Sequence, residues 1–358
     1  MKIVLSEVKN TELFGEELGR RVFLRPHWGK CLFLSGDLGI GKTALLRGFS
    51  RGLGVRENVA SPSYALMSEY SLPENSHGLT TFSHADVYRT EEGSALGLSE
   101  IVEKITDPKT VLAVEWAEKI PTAFFPEKYI FLRMKLASDE IQREIDIHFH
   151  DAGIPSDAEI GTIIRELQTP IHVQEHIEKV TRVALFLANR LIQNGLPVDV
   201  LLVRAAALLH DALRIINFSE IQEEKFHEEV TLKKRALWEA QIKKYSSQHH
   251  AFAMGSFLRE KGYIAVADVL EKHCTRAILE EMTLEEQCMY LADRSVMGNK
   301  IVGVTKRFLE AARRNGHEES PDFEKIRERV FLLEKELFKK AKITSEDISD
   351  LDSSSSQK

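Results

Sequence analysis

The sequence predicts two domains of different class: an α/β P-loop domain on a mixed sheet over residues 1–150 and an all-α domain over residues 159–343. Three observations carry this. The chain has 358 residues, about two domains at roughly 150 residues each. Its first part alternates short apolar runs with helical stretches, the pattern of an α/β domain. At Asp151-Ala152-Gly153-Ile154-Pro155-Ser156-Asp157 the composition turns to chain breakers, which marks 151–158 as a linker, and beyond it the strand signals stop.

Taken in order, Cys31-Leu32-Phe33-Leu34 is a short buried strand, followed by a glycine-rich turn and a helix over Ala44–Ser50. Thr80–Ala85 and Val111–Val114 supply further strands. Tyr129–Leu136 and Arg143–His150 come next, with no room for a long helix between them. In the last of these, Ile145, Ile147 and Phe149 alternate with Glu144, Asp146 and His148, as in a strand solvated on one face. The sheet is therefore expected to be parallel in the middle and antiparallel towards its end. Helices are predicted over Val173–Ile192, Val200–Ile216, Phe226–Tyr245, His250–Lys261, Ile264–Ile278, Leu284–Met297 and Thr305–Arg314. Thr344–Lys358, acidic and serine-rich, has too little apolar surface to fold and is expected to be a disordered tail.

Composition excludes several classes. The net charge is -7, and acidic residues outnumber Lys and Arg on both sides of residue 153, so neither half has the basic footprint of a domain that grips nucleic acid alone. Cys31, Cys274 and Cys288 cannot form an even disulfide framework and read as thiols of a reducing compartment. No stretch approaches the length of uninterrupted apolar residues that a membrane span needs. The expected location is cytoplasmic, with no membrane partner.

Gly36-Asp37-Leu38-Gly39-Ile40-Gly41-Lys42-Thr43 fits the phosphate-loop pattern and lies between a strand and the helix that opens at Ala44. Glycines let successive backbone N–H groups turn onto phosphates, and the helix N-terminus adds partial positive charge. Lys42 would reach the β- and γ-phosphates of ATP, and the Thr43 hydroxyl would hold Mg²⁺.

After this loop come Arg47-Gly48, Gly52-Leu53-Gly54, Ser61-Pro62-Ser63-Tyr64, Tyr70, His84-Ala85-Asp86-Val87-Tyr88-Arg89 and Glu115-Trp116. That succession resembles the TsaE (YjeE) family, the small ATPase of the bacterial pathway that makes threonylcarbamoyl-adenosine in tRNA, over about residues 7–150. The resemblance implies that Asp86 partners Mg²⁺, that Glu115 is the acid needed for hydrolysis, and that Ser61–Tyr64 is a nucleotide-sensing loop in which Ser63 keeps the hydroxyl. It also implies that Thr11 lies near the adenine, where a plain helix N-cap is the alternative. Such proteins bind ATP/ADP and act with two further subunits, TsaB and TsaD, so that tRNA is reached only through partners.

In the second half, metal-ligand residue types lie on otherwise apolar helix faces: His176, the pair His210-Asp211 within Ala205–Leu213, His250, His273 and Asp293. Singly, each is explained as a hydrogen-bonded core residue. Together, six polar groups converging on one helical core call for a cation, and an ionised aspartate there is costly without compensation. Nitrogen with carboxylate oxygen suits Fe, Mn, Zn, Co or Ni.

The order of these residues, with Thr169-Pro170-Ile171-His172 before them, His250-Ala251 and Ala292-Asp293-Arg294, resembles the HD-domain superfamily of metal-dependent phosphohydrolases. By that analogy His176, His210, Asp211 and Asp293 hold one metal, while His250 and His273 with a bridging Asp211 hold a second; a single-metal site is the alternative. Lys261-Gly262-Tyr263-Ile264 lacks the proline of the cyclic-dinucleotide phosphodiesterase branch. His172, His227 and His249 are left outside the metal set, and Arg294 and Lys306-Arg307 are candidates for substrate phosphate. The expected function is an ATPase of tRNA threonylcarbamoylation fused to a hydrolase of a nucleotide or other phosphate ester. Two rivals stand: a helical half that senses a ligand without catalysis, and a nucleotide hydrolase outside the tRNA pathway.

Overall fold

The computed structural model describes residues 1–358 except 63–64, 90–94, 138–141, 151–152, 219–220, 222–225, 227, 247, 316–322 and 354–358. Two compact units divide the chain, the first formed by Met1–Ala152 with Gly195–Pro197 and the second by Gly153–Asn194 and Val198–Lys358.

The first unit is built on a seven-stranded sheet of β1 (Lys2–Leu5), β2 (Cys31–Ser35), β3 (Met67–Ser71), β4 (Thr81–Asp86), β5 (Thr110–Glu115), β6 (Tyr129–Leu136) and β7 (Arg143–His150), in the order β1-β7-β6-β2-β5-β4-β3. The pairs among β6, β2, β5 and β4 are parallel. Both ends are antiparallel, through β1 and β7 on one side and β3 on the other. The expected mixed sheet is present, and its second antiparallel edge is an addition. Every residue of β2 and β5 is buried, as central strands covered on both faces require.

Helices α1 (Val8–Leu24) and α2 (Lys42–Gly52) pack at very short range. A Cβ on Gly48 would lie 1.9 Å from the Glu12 carbonyl oxygen, and one on Gly15 2.1 Å from that of Leu45. Glycine at these positions lets the two backbones touch. Helix α3 (Ala95–Thr106) adds Ile101 to a core of Cys31, Phe33, Leu112 and Val114.

The second unit is helical: α4 (Asp157–Leu167), α5 (Ile171–Gln193), α6 (Val200–Leu209), α7 (Leu232–Lys244), α8 (His250–Glu260), α9 (Ile264–Glu271), α10 (Leu284–Asp293), α11 (Val304–Asn315), α12 (Phe323–Ala341) and α13 (Ser345–Ser353). Several predicted boundaries move. A capping box of Ser156 and Glu159 starts α4 inside the span read as linker. The helix expected over Val200–Ile216 stops at Leu209, and a 3₁₀ turn forms at Arg214–Asn217. The helix expected over Leu284–Met297 stops at Asp293, and Val296–Met297 (β8) pairs with Lys300–Ile301 (β9), so strands do not end at the linker.

The disordered tail is a second correction. Residues 345–353 form α13, with Ile348 buried. Lys179 Nζ meets Asp352 Oδ1 at 2.9 Å, and Arg182 donates to the Leu351 carbonyl at 2.9 Å. Composition fails here because the segment folds against α5 and not on its own apolar content. Residues 354–358 lie outside the described residues. Among those described, no helix is long and apolar enough to cross a membrane.

Candidate nucleotide loop and metal centre

The first candidate site stands at the carboxyl ends of β2, β4 and β5, where open α/β sheets bind ligands. After Ser35 the chain turns through Gly36 and Gly41, whose φ angles of 138° and 109° lie in the region that favours glycine, and enters α2 at Lys42. Asp37, Leu38 and Gly39 are exposed, while Ile40 and Ala44 are buried. Lys42 Nζ donates to its own loop, to the Gly36 carbonyl at 2.6 Å and the Asp37 carbonyl at 3.0 Å, and lies 3.9 Å from the centre of the Trp116 ring. Burial lowers the Lys42 pKa against the pull of Glu115, Glu118, Asp86 and Asp37. Arg143 Nε holds the Ile40 carbonyl at 3.1 Å.

Asp86 and Glu115 face each other in register across β4 and β5. The Thr43 hydroxyl donates to Glu115 Oε1 at 3.0 Å, and His84 Nε2 lies 3.0 Å from the same oxygen. A carboxylate only accepts, so His84 carries its proton on Nε2. Asp86 accepts from Ser61 Oγ at 2.8 Å and from the Tyr88 N–H at 2.9 Å. The carboxylate beside the Thr43 hydroxyl is therefore Glu115. Tyr88 and Trp116 rings sit 4.7 Å apart at the same edge.

Sequence reasoning quoted His84 without giving it a role, because its pairing with Glu115 is a cross-strand contact with no local signal. Thr11 is buried in the first turn of α1, where its hydroxyl donates to the Glu7 carbonyl at 3.3 Å; the N-cap position belongs to Glu7. Ser63 and Tyr64 lie outside the described residues.

The second candidate site is a cluster of buried side chains. Helix α5 supplies His176, the end of α6 His210 and Asp211, the first turn of α8 His250, the turn after α9 His273, and the last residue of α10 Asp293. Two triads with ligand atoms within 4.8 Å of one another result, His176-His210-Asp211 and Asp211-His250-His273. Asp211 belongs to both. Its Oδ2 lies 3.9 Å from His176 Nε2 and 3.8 Å from His210 Nε2, while Oδ1 lies 3.0 Å from His250 Nε2 and 3.9 Å from His273 Nε2. Asp293 Oδ1 joins the first group, 3.4 Å from His176 Nε2 and 3.9 Å from His210 Nε2.

All four histidines are oriented the same way. His176 Nδ1 is 2.8 Å from the Gly298 carbonyl, His210 Nδ1 is 2.8 Å from that of Ala207, His273 Nδ1 contacts that of Leu270, and His250 Nδ1 is 2.5 Å from Asn217 Oδ1. Oxygen acceptors at Nδ1 turn each Nε2 inward, the outer-partner pattern of metal-binding histidine. His250 and His273 Nε2 then stand 3.0 Å apart. His210 Nε2 is buried with no hydrogen-bond partner. Four imidazole nitrogens and two carboxylates converging in a buried cluster fit a cation.

Burial pushes the Asp211 and Asp293 carboxyls up, yet surrounding histidines with Arg214 and Arg294 hold both well below the usual range. Burial lowers His210 and takes His273 down to about 3. For His176, burial pulls downward, but Asp293 and Asp211 outweigh it and raise the imidazole.

Arg214 and Asn217, which grip His250, were not foreseen. Arg294 is no free phosphate binder: it bonds Asp293 Oδ2, the His273 carbonyl at 3.0 Å and Thr275 Oγ1 at 3.1 Å. Arg307 Nε ties α11 to the Val296 carbonyl at 2.8 Å. His172 packs against Phe218 and Phe226, His249 accepts from the Ala251 N–H at 3.3 Å, and His227 lies outside the described residues.

Comparison with known proteins agrees with this division. A family model described as threonylcarbamoyl adenosine biosynthesis protein TsaE matches residues 5–145, and one described as HD domain matches residues 173–298. A tRNA threonylcarbamoyladenosine biosynthesis protein TsaE from Nostoc sp. is 34% identical over 148 residues, 41% of this chain and 84% of the relative. The protein of that title from Bacillus subtilis is 38% identical over 124 residues, 34% and 70% of the two chains. A solved structure titled "Crystal structure of Bacillus subtilus YdiB" is 27% identical, with a TM-score of 0.28, covering 40% of this chain and 82% of its own.

Proposed function

The chain belongs to the TsaE family of threonylcarbamoyl adenosine biosynthesis proteins and carries an HD domain behind that part, and we propose that it couples ATP hydrolysis to tRNA threonylcarbamoylation and, in its helical unit, hydrolyses a phosphate ester. ATP with Mg²⁺ would sit on the N–H groups of residues 36–43. Lys42, which now holds the Gly36 and Asp37 carbonyls, would turn to the phosphates. Thr43 would offer a lone pair to Mg²⁺ while its hydroxyl goes on donating to Glu115 Oε1, and His84 holds that carboxylate in line. Asp86 is the other acidic group at this edge. TsaB and TsaD are the partners this reading requires, because nothing in the charge of the chain grips tRNA directly.

The observation that carries the second half is the set of four histidines with Nδ1 engaged outward and Nε2 turned onto Asp211 and Asp293. His176, His210, Asp211 and Asp293 would hold one transition metal, and Asp211, His250 and His273 a second. Bound cations supply Lewis-acid polarisation of a phosphoryl oxygen and a lowered pKa for water. The chain's own part is to fix the imidazole tautomers, to keep both aspartates ionised, and to surround them with the apolar residues of α5, α6 and α10. The substrate class is a nucleotide or other phosphate ester.

Two measurements test the two halves separately. Reconstitution with TsaB, TsaD, tRNA, ATP and an activated threonylcarbamoyl donor should yield threonylcarbamoyl-adenosine; failure of the chain to associate with either subunit removes the pathway assignment. Elemental analysis should find at least one equivalent of Fe, Mn, Zn, Co or Ni per chain. Absence of all five after reconstitution reduces the helical unit to a scaffold.

A further inference from the structure

The two triads differ in one respect that the ligand set alone does not require. Arg214 Nη1 lies 2.9 Å from His250 Nε2, 3.3 Å from His250 Nδ1 and 3.5 Å from Asp211 Oδ1, so a guanidinium already lies over the His250 ring and beside the carboxylate oxygen of the second triad, an oxygen with no hydrogen-bond partner. On the other side Arg294 bonds Asp293 through Oδ2 and leaves Oδ1 facing His176 and His210. Arg214 also has somewhere to go: its side chain is 39% exposed, against 7% for Asp211.

We propose that Arg214 is a built-in cation of the second triad, so that the metal subsites fill in order, the His176-His210-Asp293 side first and the His250-His273 side only as Arg214 withdraws. This rests on the reading of the cluster as a metal centre. Charge compensation sets the order. The His250 and His273 Nε2 atoms stand 3.0 Å apart beside the buried Asp211 carboxylate, which needs positive charge nearby. Arg214, against His250 and Asp211, supplies that charge in the metal-free chain. A divalent ion entering there competes with a charge that stands on the ligands themselves, whereas on the other side Arg294 stands behind Asp293 on Oδ2 and leaves Oδ1 open to the ion. The first side also has Asp293 as a second carboxylate, so the share of the affinity difference that belongs to Arg214 is the part that its removal abolishes.

The test is a Mn²⁺ titration of the metal-free full chain, followed by calorimetry for affinity and by electron paramagnetic resonance for spin coupling between ions. Wild type is expected to take one equivalent tightly and a second at least ~10-fold more weakly, within the range of coupling between two ligands of one protein. Arg214→Gln should tighten the second equivalent by roughly that factor and leave the first unchanged, and Arg214→Lys should keep the wild-type split. Equal second-site affinity in wild type and Arg214→Gln overturns the proposal and leaves the metal centre standing. No binding by either protein overturns the centre and the proposal together. If the glutamine variant does not fold, Arg214→Ala is titrated in its place under the same criterion, and coupled Mn²⁺ signals from the first additions to wild type refute ordered filling outright.

Discussion

The two candidate sites solve opposite problems. The loop of the first unit is made of backbone, and the polar atoms turned to it bond within the site: Lys42 on its own carbonyls, Thr43 and His84 Nε2 on Glu115, Ser61 on Asp86, while His84 Nδ1, on the far side of its ring, is buried without a partner. The cluster of the second unit is made of side chains from five places in the chain, and its inward atoms are left facing one another, with His210 Nε2 unpartnered. A site for a ligand that comes and goes can rest in a self-bonded state. A site for a resident ion is assembled in advance and stays electrostatically incomplete without it.

That contrast breaks first at Lys42. Lys42→Ala is expected to lower ATP turnover by ~10²- to 10³-fold, the scale of losing one preorganised charge at the transferring phosphoryl group, with metal content unchanged; normal turnover would show that the loop is not the nucleotide site. The double change His210→Ala with Asp211→Ala should weaken transition-metal binding by at least ~100-fold, beyond the effect of losing an outer partner, and leave ATP affinity as it was. Full metal occupancy in that variant would place the centre elsewhere.

Smaller effects sharpen the comparison. Ile348→Ala should destabilise the second unit by about 2–4 kcal/mol in denaturant unfolding, as for a buried aliphatic side chain; an unchanged midpoint would return residues 345–353 to the disordered state that composition suggests. His84→Ala should slow ATP turnover about tenfold with nucleotide affinity retained, the scale of losing a partner that orients a reacting side chain. His84→Gln keeps a donor for Glu115 and should recover part of the rate. If both variants turn over at the wild-type rate, Glu115 is held by Thr43 alone.

How much of this was legible follows the range of the interactions. The strands at Tyr129–Leu136 and Arg143–His150 were predicted at their observed ends because alternation is a local signal. The loop at 36–43 was read for the same reason: its mechanism lies in consecutive backbone groups. The metal ligands were readable because polar residues on apolar faces are conspicuous one helix at a time. Their second partners were not, since Asn217 reaches His250 and Gly298 reaches His176 only after the helices meet. Helix α13 was missed for a related reason. Asp352 and Leu351 look like tail residues until Lys179 and Arg182 are beside them.

The glycine contacts between α1 and α2 bear on motion. Where a methyl group would come within about 2 Å of a carbonyl at Gly15 and Gly48, no layer of side chains remains to absorb displacement between the helices. A nucleotide that shifted the start of α2 at Lys42 would carry α1 with it as a stiff lever, and the exposed side of α1 would become a place where occupancy of the loop could be read from outside.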